Sequence, residues 1–223
     1  MPIRAVILDY GNVLCPLPAI SAYAELRSLA GIEDPQFQES FWRYRLDYDR
    51  GTLDGTAYWR RVAQANGKEY SDALIQKLIV SDMALWLTPD RVLLQWARDL
   101  RHEGVKVAIL SNMPRDLALY LRHSAAWLRL FDHATFSAEI GLVKPAPGIY
   151  QECLKGLDVR AEEALFLDDN AGNVEGAQAL GIHALRFEST AQLAAEVHGF
   201  GLPPVPMEEA TRQSLPASDR PVV

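Results

Sequence analysis

The sequence predicts an α/β protein, a doubly wound parallel sheet with a block of helices inserted after its first strand. Three observations carry this. Short apolar runs recur along the chain without the polar alternation of a half-exposed strand, the mark of strands covered on both faces. Amphipathic segments separate the later runs, and strand, helix, strand in repetition winds right-handedly into a parallel, Rossmann-like sheet. Residues 15–87 interrupt the rhythm, with helical patterns and no convincing strand run.

The predicted strands are residues 3–8, 105–110, 134–136, 164–167 and 183–187. Before the second strand, "TPDRVLLQWARDLRHEG" reads as a helix with Thr88 as its cap, Pro89 at the first helical position and Gly104 as its stop. "PRDLALYLRHSAAW" and "NVEGAQALG" supply helices after later strands. Four helical stretches are traced within 15–87. One carries Phe37, Phe41, Tyr44 and Tyr48 at helical spacing; another carries Leu74, Ile75, Leu78, Ile79, Leu85 and Trp86 as a broad stripe. Both stripes are expected to be core. The division is therefore 1–14 and 88–201 as the α/β core, 15–87 as a helical insertion, and 202–223 as a proline-punctuated tail, extended or disordered.

Composition narrows the function. A formal net charge of −7 argues against a nucleic-acid or anionic-membrane partner. Cys15 and Cys153 lack metal-ligand spacing and are expected to be small core hydrophobes of a reducing compartment. His102, His123 and His198 fall in predicted helices without ligand spacing, and His133 and His183 near or within strands; none is assigned a role. The first residues do not read as a leader, and no apolar stretch approaches the ~18 residues of a membrane span. The expectation is a soluble cytoplasmic protein, monomer or homodimer.

The strand ends carry the chemistry. The first strand runs into Asp9, the second into Ser111 and Asn112, and the fourth into Asp168 and Asp169. The third leads to "GLVKPAPGIY", where Pro145 biases Lys144 toward extended backbone. Ligands of such sheets bind outside the carboxyl ends of the strands. Asp, Ser and Asn also terminate strands and cap helices, but this set in this order matches what phosphoryl transfer needs. Asp9 can attack phosphorus and form an aspartyl-phosphate that water hydrolyses. Two anions repel, so a divalent cation has to bridge them. Mg²⁺ takes oxygen ligands, which Asp9, the Gly11 carbonyl and Asp169 can provide, with Asp168 direct or through water. Lys144, the Ser111 hydroxyl and the Asn112 backbone N–H would neutralise the phosphoryl oxygens.

"LDYGNVL", "AILSN", "GLVKPAPGIY" and "ALFLDDNAGNVEGAQALGI" resemble the four motifs of the haloacid dehalogenase superfamily. The insertion at 15–87 resembles the helical cap of that superfamily's first cap class. The resemblance implies a Mg²⁺-dependent phosphohydrolase acting on a small-molecule phosphoester, with Asp9 as nucleophile, Asp168 and Asp169 at the metal, and a cap that opens and closes. The chain departs from the family pattern in one place. Most phosphatases of the superfamily have Asp-x-Asp in the first motif, the second acid moving protons, and here that position is Gly11. Positioned acid–base catalysis is worth roughly 10²–10⁴-fold. Either the leaving group is good, or a cap side chain or a bound water transfers the proton. An Asp-x-Gly-Asn first motif is similar to that of a bacterial subgroup that includes a sugar 1-phosphate phosphatase. Specificity is expected in "FWRYRLDYDRGTLDG": Arg43, Arg45, Asp47 and Asp49 can bond a polyol or a second anion, Arg45 being the favoured substrate-binding residue, and Tyr44 can line a sugar face. The alternatives are a catalytically weak binding protein of the same fold, suggested by Gly11, and a 2-haloacid dehalogenase, which shares the nucleophilic Asp but needs no metal.

Overall fold

The computed structural model describes residues 2–206, so most of the predicted tail lies outside the described residues. Strands β1 (Ala5–Leu8), β2 (Lys106–Ser111), β3 (His133–Phe136), β4 (Ala164–Asp168) and β5 (His183–Arg186) form one parallel sheet in the order β3-β2-β1-β4-β5. Each coincides with a predicted apolar run, with ends that move by a residue or two. In register, Leu8 lies between Ile109 of β2 and Leu167 of β4. The order reverses at β1, so the crevice beyond its carboxyl end is where a doubly wound sheet opens to ligands.

Residues 15–87 contain five helices: α1 (Ile20–Ala30), α2 (Gln36–Arg43), α3 (Arg45–Arg50), α4 (Gly55–Ala65) and α5 (Asp72–Ala84). The expectation was four. The aromatic stripe from Phe37 to Tyr48 is carried by two helices, because Tyr44 takes φ −105° and ψ 0° and ends α2. Phe37, Phe41 and Tyr48 still reach one apolar cluster with Tyr58, Trp59, Ile75 and Leu78. Tyr44 is half-buried instead, with the Arg61 guanidinium 5.9 Å from its ring centre. Of the second stripe, Leu85 and Trp86 lie beyond the end of α5.

The core helices are α6 (Arg91–His102), α7 (Arg115–Ser124), the short α8 (Ser137–Ile140), α9 (Pro147–Leu157), α10 (Ala171–Gln178) and α11 (Thr190–Glu196). Strand alternation divides them between two faces. Val6, Leu8, Val107, Ile109, Leu165 and Leu167 pack on one face with residues of α6, α7 and α11. Ala5, Ile7, Ala108, Leu110 and Phe166 pack on the other with residues of α9 and α10. Cys15 and Cys153 are free and buried, as expected of core thiols. The cap of α6 is not Thr88. Asp90 caps it, its carboxylate accepting from the Val92 N–H at 2.7 Å and the Leu93 N–H at 3.0 Å. A carboxylate there also meets the positive end of the helix dipole, which a Thr hydroxyl does not. Gly104 follows that helix at φ +78°. The start of the predicted tail lacks secondary structure but is held on the core, since the Trp96 indole N–H donates to the Pro203 carbonyl at 2.9 Å and Leu202 and Val205 are buried.

Two contacts tie the helical block to its entry and exit strands. The Asp90 N–H donates to the Leu14 carbonyl at 2.7 Å, and the Cys15 thiol lies 3.4 Å from the Thr88 carbonyl. A third group ties its far side to the sheet rim. The Tyr48 hydroxyl donates to Asp116 at 2.9 Å, the Ser137 hydroxyl donates to the Asp49 carbonyl, and Gly51 passes against Ala138. Gly51 has φ +80°, and a Cβ there would stand 2.9 Å from the Ala138 carbonyl oxygen, so backbone conformation and close approach both call for glycine.

Inside the block, Arg45 is buried, its NH1 donating to both oxygens of Asp82 at 3.0 and 2.9 Å and its Nε to Asp49 at 3.0 Å. Removing one partner of a buried pair strands the other charge. Asp82→Ala is therefore expected to lower unfolding stability by about 3 kcal/mol, read as a shift in urea midpoint with an unchanged slope.

Candidate active site

Three strands and one loop deliver their polar ends to a single point. Asp9 directly follows β1, Ser111 ends β2, and Asp168 ends β4. Lys144 comes from the loop after α8 and inserts between two of them. Its ammonium lies 2.8 Å from Asp9 Oδ1 and 2.5 Å from Asp168 Oδ2, and its side chain is 1% exposed. Burial works against its charge, but the two carboxylates outweigh burial and raise its pKa. Burial pushes the Asp9 carboxyl up to about 7, with Lys144 opposing and Asp168 adding to the rise. One cation faces three acids here, because oxygens of Asp9, Asp168 and Asp169 lie within 4.8 Å of one another.

The predicted site residues meet different fates. Asp9, Lys144, Asp168 and Asp169 converge, and Ser111 is buried on the same rim. Asn112 is used by the protein itself. Its side-chain oxygen accepts from the Lys144 N–H at 2.8 Å and its amide donates to the Lys144 carbonyl at 3.1 Å. This clamp holds the backbone from which the ammonium is projected, and it leaves the Asn112 N–H outside the clamp. The Lys144–Pro145 peptide bond is cis. Asp168 is saturated with donors: Lys144 on Oδ2, the Asn170 N–H on Oδ1 at 2.8 Å, and the Asn173 amide across both oxygens at 3.0 and 3.1 Å. Asp169 accepts only from the Asn12 amide, at 2.8 Å, among the described bonds to its side chain. Asp169 is the more available ligand, and Asp168 is chiefly the partner that steers Lys144.

Gly11 is a bridge residue of the turn after β1, paired with Cys15. A Cβ there would meet the Trp86 ring at 3.5 Å, an ordinary contact, so the indole borders the space where the usual second acid would project. Arg45 does not stand alone as an anion receptor. Its guanidinium is committed to Asp82 and Asp49 and packs over the Phe41 and Tyr48 rings at 5.3 and 5.5 Å. Arg43 is exposed and pairs with Glu39, and the half-buried Asp47 pairs with Arg50.

Asn12 and Asn173 were not among the expected site residues. Asn12 adopts φ 57°, a left-handed conformation that Asn tolerates better than most residues, and from there its amide turns toward Asp169. Its place directly after Gly11 signalled a turn but not that bond. Asn173 lies in the first turn of α10, whose cap is Asn170, and so faces back to the β4 end. The spacing from Asp168 was the available signal.

A hydrolase family model, that of the haloacid dehalogenase-like hydrolases, matches residues 3–181. The chain belongs to the haloacid dehalogenase-like hydrolases. It is 27% identical over 195 residues to the sesquiterpene phosphatase astK of Aspergillus oryzae, spanning 87% of this chain and 94% of that protein. It is 29% identical over 197 residues to (S)-2-haloacid dehalogenase 1 of a Pseudomonas species, spanning 83% and 84%. Some relatives are much longer, and the chain spans 37% and 18% of two of them. In fold it resembles the HAD family enzyme BT-2542 of Bacteroides thetaiotaomicron, solved with magnesium and inorganic phosphate, with a TM-score of 0.68, 21% identity, and 86% and 98% of the two chains covered. No helix among the described residues is long and apolar enough to cross a membrane.

Lys144→Met leaves Asp9 and Asp168 as buried like charges without a counter-ion. A carboxyl whose folded pKa is raised binds more protons in the native state, so its burden on stability grows as pH climbs from its unfolded value through its folded one. In EDTA, the melting temperature of Lys144→Met is expected to fall further below wild type at about pH 8 than at about pH 5. An equal deficit at both values would separate Lys144 from the two carboxylates.

Proposed function

We propose that the chain is a Mg²⁺-dependent phosphohydrolase of small phosphorylated metabolites, working through an aspartyl-phosphate on Asp9. The observation that carries this reading is the pairing of Asp9 with Lys144 inside a cluster of three carboxylates. A dehalogenase also needs a buried aspartate nucleophile, and one relative bears that name. It has no use for three acids gathered around one ammonium, whereas a hard divalent cation is suited to such an oxygen set. Asp9 and Asp169, with the Gly11 carbonyl, would hold the ion, which when bound screens the negative charge of nucleophile and phosphoryl group.

The protein's own residues do the rest. Lys144 opposes the burial that raises the Asp9 pKa, orients that carboxylate and offers charge to the phosphoryl oxygens. Ser111 offers a hydroxyl to the same oxygens. Asn112, Asn173 and Asn12 keep Lys144, Asp168 and Asp169 in place, so little reorganisation is needed as charge moves. The helices of 15–87 act as a cap over the β1 exit, excluding water when seated and admitting substrate when lifted. With Gly11 in place of an acid, either the leaving group departs readily, a sugar 1-phosphate being one such class, or another group of the site supplies the proton. The compartment we infer is the cytoplasm.

Phosphate release should be screened across phosphorylated metabolites with Mg²⁺ and with EDTA, comparing wild type with Asp9→Asn. Release that requires both the metal and Asp9 is expected; chloride release from 2-chloropropionate without metal would favour the dehalogenase reading, and neither activity would favour a binding protein. Mg²⁺ alone is also expected to raise the melting temperature of the wild type, as any ligand of the native state does, and Asp169→Asn is expected to lose most of that rise.

A further inference from the structure

Gly11 leaves the nucleophile without the acid that normally sits beside it, and the helical block holds a carboxyl group, that of Asp49, whose backbone is fastened to the same rim and which the charge of Lys144 reaches. Asp49 lies in the last turns of α3, and that end of the helix is fastened to the core. Ser137 donates its hydroxyl to the Asp49 carbonyl while accepting from the Met113 N–H at 2.9 Å. Met113 follows Asn112 in the loop after β2, so the backbone of Asp49 is tied to the loop that follows Ser111 and whose Asn112 clamps Lys144. Gly51 against Ala138 and Tyr48 bonded to Asp116 fix the same turn from its two flanks.

The Asp49 side chain is held on one side only. Its Oδ1 accepts from Arg45 Nε at 3.0 Å, Oδ2 has no hydrogen-bond partner among the described residues, and 13% of the side chain stays accessible. The charged groups around it are Arg45 on its own helix, Asp82 on α5 and Lys144 below it, with Tyr58 of α4 packed beside Arg45 and Asp116 bonded to Tyr48. Burial pushes the carboxyl up to about 6; Arg45 lowers it, Asp82 raises it, and the charge of Lys144 reaches far enough to lower it slightly. A group so placed exchanges a proton readily near neutrality.

We propose that Asp49 is the proton-transfer residue of this site, supplied by the helical cap in place of the acid that Gly11 lacks. The inference rests on the phosphohydrolase reading above. As Asp9 attacks phosphorus and the ester P–O bond breaks, the departing alkoxide takes the proton from Asp49. Water then attacks the phosphorus of the aspartyl-phosphate, its proton passes to the Asp49 carboxylate, and the bond between phosphorus and Asp9 breaks to release phosphate. Asp49 ends protonated, as it began. Because it rides on the cap, the proton donor is in place only when the cap is seated, which couples chemistry to exclusion of water.

Asp49→Asn keeps an oxygen that accepts from Arg45 but removes the transferable proton and the negative charge of the pair. The kcat/KM for β-glycerophosphate, whose alkoxide needs a proton, is expected to fall roughly 10²–10⁴-fold. For p-nitrophenyl phosphate, whose phenolate leaves unaided, the fall is expected to be at least about tenfold smaller. Asp49→Glu is expected to recover part of the β-glycerophosphate activity. Melting temperatures of both variants serve to exclude unfolding. Equal losses on the two probes, or none on either, overturn the role of Asp49 while wild-type, Asp9-dependent release leaves the phosphohydrolase reading standing. If no phosphorylated metabolite of the screen, these two probes included, gives Mg²⁺-dependent release from the wild type, both readings fall together.

Discussion

One ammonium between two buried carboxylates organises this molecule. Lys144 touches Asp9 and Asp168 at once with almost no access to solvent, and removing three charges from water is costly unless each is met by partners in good geometry. The surrounding architecture supplies those partners. The sheet order sets the β1 and β4 ends side by side, which brings the two acids within reach of a single side chain. Asn112 holds the lysine's backbone by two hydrogen bonds, and Asn173 and the Asn170 N–H occupy the lone pairs of Asp168 that Lys144 does not. Burial, which Lys144 offsets only in part and Asp168 reinforces, leaves the pKa of Asp9 raised.

The helical block repeats the solution. Arg45 is one cation between Asp49 and Asp82, sealed among aromatic rings. Such an ion triad adds little net stability compared with an apolar core, but it specifies which face of α3 turns inward. With that face inward, the Tyr48 hydroxyl bonds Asp116 and the Asp49 backbone carbonyl accepts from Ser137 at the rim. The block is joined to the sheet on one side by its chain connections near Leu14 and Asp90 and on the other by non-covalent contacts alone. The first kind of link is permanent, whereas the second can break and re-form, and this asymmetry suits a lid.

Much of this was legible before any coordinates. Strands covered on both faces are nearly all apolar, so the runs of β1, β2 and β4 announced themselves, and Asp9 and Asp168 stood out as the first charges at the ends of β1 and β4. Helix boundaries were less legible. Thr88 and Asp90 both suit a cap, and local preference does not separate them; the Asp90 N–H bond to Leu14, far away in sequence, favours the later start. The break at Tyr44 was hidden for a similar reason, since Phe37, Phe41 and Tyr48 keep helical spacing across it.

The sequence by itself determined the sheet, the inserted helices and the acids and lysine at the strand ends, because apolar periodicity and the punctuation of strands are local properties. Only the tertiary structure decided the duties of the polar side chains. Asn112 clamps a backbone, Asn12 steers an acid, and Arg45 turns inward to Asp82, since each bond joins residues that only folding brings together. A hydrogen bond depends on distances of tenths of an ångström between such partners, and no pattern within one segment encodes them.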